Sequence, residues 1–321
     1  MNDAAAKPAA VDTAATVLRL DPDNATSINN RAVAELDTGN ALWAAARLRE
    51  GILSMRRAAD DFGRASAGGA VMSMSHFTMR TRAALFQILV GDLSGATATV
   101  AAGGPLLAKW RKSEPPGGLL LAIGENMETL PAAVAAAERD ELATAQRLAG
   151  DAASRIGAAT TRGDSATNYK AVWVAVISSL SGRIEYRLGN FAAAEKAEGT
   201  ALAARRIWGE HTTTDQRDLA EMSTWLAMAQ ARQGRMSDAA QTIAPVVKLQ
   251  RELAARNHGD QWVPLELARA LYAESLTDPA RSAALLREAA KLVDGLAPTI
   301  QPLHDTRLWR EWIRQAQRGA V

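Results

Sequence analysis

The 321-residue chain sets 37 Lys and Arg against 35 Asp and Glu, and a formal net charge of +2 is too small for a nucleic-acid footprint. It is 48% hydrophobic but only 5% aromatic; much of that apolar content is Ala, the best helix former, so the expected class is all-α. There is no Cys, which excludes disulfides, thiolate chemistry and Cys-ligated metals.

The opening "MNDAAAKPAA" lacks the charged start and apolar core of a signal peptide, and residues 1–8 read as disordered. No stretch reaches the roughly 20 uninterrupted apolar residues of a membrane helix, so no membrane contact is expected. The expected location is cytoplasmic, or periplasmic if the chain is a piece of a membrane-anchored protein. Residues 9–20 read as the second helix of a hairpin whose first helix is missing. Its apolar face, with Val11, Ala14, Ala15, Leu18 and Leu20, calls for cover by more upstream chain or by self-association with another subunit. The chain therefore reads as the tail of a larger protein, and its Arg and Ala content suggests a bacterial one.

A motif then recurs: "TGNALWAAARL" from Thr38, "VGDLSGATATV" from Val90, "LGNFAAAEKAE" from Leu188 and "QGRMSDAAQTI" from Gln233. In each copy a Gly and a polar residue precede an apolar run at helical spacing, with Ala five positions after the Gly. Gly ends one helix in the left-handed conformation, the polar residue caps the next, and Ala sits where the two helices cross. Asp140 and Asp278 stand in for Gly in two further copies, since Asp tolerates that backbone better than most residues. The turns at Gly39, Gly91, Asp140, Gly189, Gly234 and Asp278 are spaced by 52, 49, 49, 45 and 44 residues, which predicts about six helical hairpins across residues 9–298. In the third hairpin "SEPPGGLLLAIGENMETLP" interrupts the pattern, and Pro131 is expected to start a shortened first helix. Pro245 should kink or shorten a second helix, and Pro279 should open one behind a Thr277 or Asp278 cap. A Pro-bounded linker then leads to a single helix over residues 301–318. Trp309 and Trp312, three apart on one face, are expected to cap the last hairpin.

The stretch "LRLDPDNATSINNRAVAELDTGNALWAAARL" from Leu18 resembles the tetratricopeptide repeat. Its "LDPDNA" matches the family's inter-repeat turn, Ala32 the small position of the first helix, and Gly39 and Ala44 the hairpin turn and crossing. "LSGRIEYRLGNFAAAE" matches at Gly182, Leu188, Gly189, Phe191 and Ala194, and "WLAMAQARQGRMSDAA" at Leu226, Ala227, Gly234 and Ala239. The units exceed the family's period of about 34 residues. They are similar to its long-helix variant in kinesin-light-chain-like arrays and bacterial regulators, whose inter-repeat turn resembles "WGEH" at 208–211.

The resemblance implies a right-handed α-α superhelix, a solenoid with a C-terminal capping helix, that binds protein or peptide without catalysis. It also implies the setting of a scaffold, or the sensory or interaction tail of a bacterial signalling protein. Ligands of the family lie along the concave face, on the second, fifth, ninth, twelfth and thirteenth positions of each first helix. Counted back from the turns, these are Arg183, Tyr186 and Arg187; Glu221, Thr224, Met228 and Arg232; Tyr272; and Asn29 and Asp37. The C-terminal set is basic and aromatic, suited to an acidic peptide partner. Arg187 and Arg232 occupy equivalent positions, so they either form a basic ladder with Arg183 or pair internally with Glu185 or Glu221. The family's chaperone-tail clamp needs Lys at the fifth position and Asn at the ninth. Asn29 and Val33 stand there in the first unit, which disfavours that ligand.

No motif supports a catalytic residue, a cofactor or a metal. His76, His211, His258 and His304 form no HExxH pair and read as loop or surface residues. "RASAG" around Ser66 misses a nucleophile elbow because Arg64 replaces Gly, "DDF" at 60–62 lacks the next acid of a metal motif, and "GGLLLAIGE" has no basic residue to reach a phosphate. "NAT" at 24–26 matches a glycosylation sequon but reads as the repeat turn. Of the eight Trp, at 43, 110, 173, 208, 225, 262, 309 and 312, most read as inter-hairpin core and a minority as groove anchors. The alternative reading is an α/α-toroid, six hairpins in a ring acting on a carbohydrate, which would bring the first and last hairpins together.

Overall fold

The computed structural model describes residues 21, 23–66, 70–161, 163–208 and 212–319. Residues 1–8, the helix expected at 9–20 and residues 209–211 of "WGEH" lie outside the described residues. Among the described residues every named element is an α-helix, and the helices pack largely on their chain neighbours. The chain divides into two compact units, one running to Ala135 with residues 158–160, the other comprising Ala136–Gly157 and the chain from Thr161.

The first unit holds α1 (Ala25–Ala44), α2 (Leu48–Ala65), α3 (Ala70–Leu89), α4 (Leu93–Ala101), α5 (Gly104–Ser113) and most of α6 (Leu119–Glu138). "NAT" serves as a helix start: Asn24 caps α1, its side chain accepting from the Ser27 N–H at 2.9 Å. α1 packs on α2, α2 on α3 and α3 on α4. Ala32, Ala59, Phe62 and Met79 form one core cluster. Phe77 and Leu107 close on Gly124, where a Cβ would stand 2.6 Å from Leu107 Cδ1 and 3.1 Å from the Phe77 ring. α4 stops at Ala101 and α5 restarts at Gly104, because Gly103 is pressed against the Met127 thioether and Pro105 suits a first helical turn. Pro131 does not start a helix; it lies inside α6. The hydrogen bond it forfeits is offset by burial of its neighbours Met127, Leu130 and Ala133. Among the described residues only α6 is long and apolar enough to cross a membrane, and 61% of its apolar window is buried.

The second unit holds the end of α6, α7 (Leu142–Ala158) to Gly157, α8 (Asp164–Arg187), α9 (Phe191–Trp208), α10 (Thr213–Arg232), α11 (Met236–Arg256), α12 (Val263–Ser275), α13 (Ser282–Asp294) and α14 (His304–Gln317). Each helix from α8 to α14 packs on the next. The alternate helices also touch, α8 with α10, α10 with α12 and α12 with α14. Helices α8, α10 and α12 thus share one layer, with α9, α11 and α13 between them in the chain. A capping box of Thr212 and Asp215 starts α10, and Arg205 of α9 reaches Asp215 and Asp218 beside it. α11 continues through Pro245 without being shortened.

Five turns share one backbone. Ala46, Gly91, Asp140, Gly189 and Gly234 all have φ between 58° and 81°. In each, the left-handed residue's N–H donates to the carbonyl three residues back, and the next N–H to the carbonyl five before it, as in Arg47 to Leu42 and Asn190 to Glu185. Seven residues before each turn and five after it stand small buried residues: Ala84 and Ala96, Ala133 and Ala145, Gly182 and Ala194, Ala227 and Ala239.

That register corrects the first hairpin. Gly39 is not its turn; α1 runs through it, and the chain reverses at Ala46. The small positions there are Gly39 and Gly51. A Cβ on Gly39 would lie 2.8 Å from Met55 Cγ and 3.1 Å from the Gly51 carbonyl oxygen, so this glycine serves close helix contact. Ala44 is only half-buried, and the counts that gave Asn29 and Asp37 shift by seven. Asp278 has no left-handed backbone either. Its carboxylate accepts from the Arg281 N–H at 3.2 Å, and Pro279 lies in the turn before α13 instead of inside the helix.

Candidate functional site: an aromatic and charged face under the last helix

The face shared by α8, α10 and α12 carries Tyr186, Trp225 and Tyr272, all buried. α14 lies on it. Trp312 approaches Tyr186, Trp225 and Tyr272 with ring centroids 5.8, 5.9 and 6.3 Å away, and Trp309 approaches Trp225 and Tyr272 at 5.2 and 5.7 Å. Phe191 lies tilted against Tyr186 with ring centroids 5.3 Å apart. The two tryptophans share a helix face, as their spacing predicts. They do not merely cap the last hairpin, because their contacts extend back to α10 and α8.

Charges bracket the aromatic rings. Glu221 of α10 accepts from Arg183 of α8 at 3.2 Å and from Arg269 of α12 at 3.0 Å. Burial alone would raise the Glu221 carboxyl, but Arg183, Arg269 and Arg217 overcome it and hold it below the usual carboxylate range. Arg269 also binds Asp305 of α14, and its guanidinium lies 5.5 Å from the Trp309 ring centre. Arg217 engages Asp260 at 2.7 Å and Glu266 at 2.9 Å. At the start of α14, His304 pairs with Glu138 at 3.2 Å and reaches Asp140 at 3.7 Å. The hydrogen bond that His304 donates to Glu138 chiefly raises its pKa; burial opposes it, Glu138 and Asp140 add attraction, and Arg187 works against them.

The satisfaction of this layer is uneven. Among the described residues, Trp225 Nε1, Trp309 Nε1, Thr306 Oγ1, Arg183 Nε, Arg269 Nε and Gln250 Oε1 are buried without a hydrogen-bond partner. Glu221, Thr224, Trp225, Gln250, Glu266 and Arg269 enclose a cavity of about 10 Å³, large enough for one water.

The expected groove residues fall into three groups. Arg183 and Glu221 meet each other, and Arg232 Nε donates to Tyr186 Oη at 3.2 Å. Thr224, Met228 and Tyr272 are buried, with the Thr224 hydroxyl donating to the Ala220 carbonyl at 2.8 Å. Arg187 turns away to the Ala137 carbonyl at 3.0 Å and to Asp140. Arg187 and Arg232 therefore take separate partners, and internal pairing falls on Arg183 with Glu221. Glu185 binds Gln146 and Asn190.

Sequence reasoning missed Arg269, Asp305 and Glu198. Glu198 is wholly buried between α8 and α9, with the Ser179 hydroxyl at 3.4 Å. Gly182 makes room for it, since a Cβ there would stand 2.6 Å from Glu198 Oε1. Burial drives the Glu198 carboxyl well above its ordinary pKa, against the attraction of Arg183 and the bond to Ser179. The signal for Asp305 was available, because it shares a face with Trp309 and Trp312 at intervals of four and seven. His76 is also a correction: it is a buried residue of α3, its Nδ1 2.7 Å from the Ala59 carbonyl oxygen. Among the described residues no three His, Asp or Glu side chains converge as a metal site. No family model and no curated protein matches the chain.

Proposed function

We propose that the chain is a non-catalytic scaffold of tetratricopeptide-like hairpins, stacked as a right-handed solenoid, that holds a segment of a protein partner on the face of α8, α10 and α12. In this reading it serves as an interaction or sensory tail in a larger bacterial signalling protein. The repeated left-handed turn, with small residues at fixed offsets, supports the repeat assignment. The observation that carries the functional reading is the seating of α14, a helix held on this face by edge-to-face aromatic rings and an Arg–carboxylate pair. A surface that accommodates one amphipathic helix in this way has the chemistry to select another. Arg232 is exposed at the edge of the aromatic cluster, and Arg183 is partly so, which suits a partner carrying carboxylates.

The test is a selection of peptides from a random display library on the full chain. A parallel selection uses an Arg183→Ala/Arg232→Ala variant of unchanged melting temperature. The expected result is enrichment of peptides combining acidic and aromatic residues, with at least tenfold weaker binding to the variant. Absence of any enriched class, or equal binding to both chains, overturns the reading.

A further inference from the structure

We propose that α14 is a releasable occupant of this face, and that the partner displacing it is a helix bearing a carboxylate followed by aromatic residues four and seven positions later. This inference rests on the functional reading above and adds both its regulation and its ligand chemistry. The template is α14 itself, in which Asp305 binds Arg269 while Trp309 and Trp312 bury their rings against Trp225, Tyr272 and Tyr186.

Three features make α14 the element that leaves. First, its interface is bonded at the edges, by His304, Asp305, Arg310, Arg314 and Gln317, but not at its centre. Trp309 Nε1 and Thr306 Oγ1 on α14, and Trp225 Nε1 and Arg269 Nε beneath it, are buried without a partner among the described residues. Unpaired buried groups weaken the closed state, and an incoming helix that offers acceptors gains where α14 does not. Second, the connection is short and anchored up to its end. Ile300 is wholly buried and the Gln301 amide donates to the Leu296 carbonyl at 2.8 Å, so release needs movement around Pro302 and Leu303. Third, the opposite side of α14 is polar and exposed, with Arg307, Glu311, Arg314 and Arg318 in solvent. Detachment therefore exposes one apolar stripe and breaks the edge pairs of His304, Asp305, Arg310 and Arg314. Held on so short a tether, α14 competes at high effective concentration, and a partner in trans binds more weakly than the face alone would permit.

The experiment uses the full chain and a fluorescein-labelled synthetic peptide of residues 301–319, read by fluorescence anisotropy. Wild type is expected to bind this peptide at least tenfold more weakly than Trp312→Ala, in which the resident helix is loosened. A peptide carrying Asp305→Asn and Trp309→Ala is expected to lose at least tenfold on the same chain. Equal affinity of the two chains for the native peptide overturns release and leaves the binding face standing. Failure of both chains to bind it, while library-selected peptides still bind wild type, overturns the ligand chemistry. Conversion of Trp312→Ala to a dimer that no longer takes the peptide overturns the partner in favour of a second copy exchanging α14. Hydrogen exchange on unmodified wild type is independent of any folding defect. Amides of 304–317 should exchange at least tenfold faster than those of 265–273, and equal protection overturns the proposal.

Discussion

Replacing Trp309 with Ala removes the side chain on which α14 depends most. It is wholly buried, with Trp312, Trp225 and Tyr272 at centroid distances of 5.1, 5.2 and 5.7 Å and the Arg269 guanidinium at 5.5 Å. Truncating a buried Trp to Ala costs about 3–5 kcal/mol. The unpartnered indole N–H works in the other direction, since removing it relieves about 1–3 kcal/mol of desolvation. The expected net loss at this site therefore lies between about 0 and 4 kcal/mol, centred near 2. In a nearest-neighbour array this loss is also limited by the free energy of detaching α14, so the last helix should open before the rest unfolds. Urea unfolding followed by far-ultraviolet circular dichroism should show an early, shallow phase absent from wild type. Hydrogen exchange should locate that phase in residues 304–317, with protection also lost in α10 around Trp225. Protection lost only in α12 and α13 would mean that α14 merely caps the last hairpin. An unchanged midpoint with unchanged protection would refute the account of the aromatic face altogether.

Glu198→Gln should raise the melting temperature at pH 7 to 8 and leave it unchanged below pH 4.5. The folded pKa lies above the unfolded one, so wild-type stability falls as pH rises between the two; identical pH slopes for both proteins would count against a buried neutral carboxyl. His304→Ala should destabilise most at acid pH. The raised folded pKa makes the contribution of His304 full below 6.5 and lost as pH rises through the folded value, so the gap between melting curves should close towards pH 9. Gly39→Ala should cost about 1–3 kcal/mol despite the better helix propensity of Ala, because the Gly51 carbonyl cannot yield; a stabilised variant would restore the turn assignment. Ala194→Leu and Ala239→Leu should each cost about the same through overpacking, read as a drop in the chemical midpoint.

The turns at Gly91, Asp140, Gly189 and Gly234 were legible because a left-handed residue is chosen locally, and Gly or Asp announces it. Ala46 announces nothing. Its positive φ is imposed by helices that must reverse around the Gly39 and Gly51 contact, which is a tertiary demand. Gly39 was misread because glycine serves two ends, permitting a turn and permitting close approach, and only the packing tells them apart. Pro131 was misread for a related reason: a local rule about helix ends gave way to burial along α6. At the candidate site, the expected groove residues Arg183, Tyr186, Glu221, Arg232 and Tyr272 do lie together on the layer of α8, α10 and α12. What the sequence lacked was the partner of each. Arg232 meets Tyr186 across 46 positions and Arg269 meets Asp305 across 36, and no pattern within one helix foretells such pairs.

The fixed interval between the two small residues of a hairpin acts as a ruler. From Gly39 to Gly51, and again from Gly182 to Ala194 and from Ala227 to Ala239, it measures twelve positions with the reversal inside it. One residue inserted within that span would rotate everything beyond it by about 100° and aim a bulky side chain at the neighbouring backbone. Insertions between hairpins carry no such penalty. Length variation is thus expected to accumulate between rulers and never within them. A search for the spacing of small residues would find units of this kind even where, as at Ala46, no glycine marks the bend.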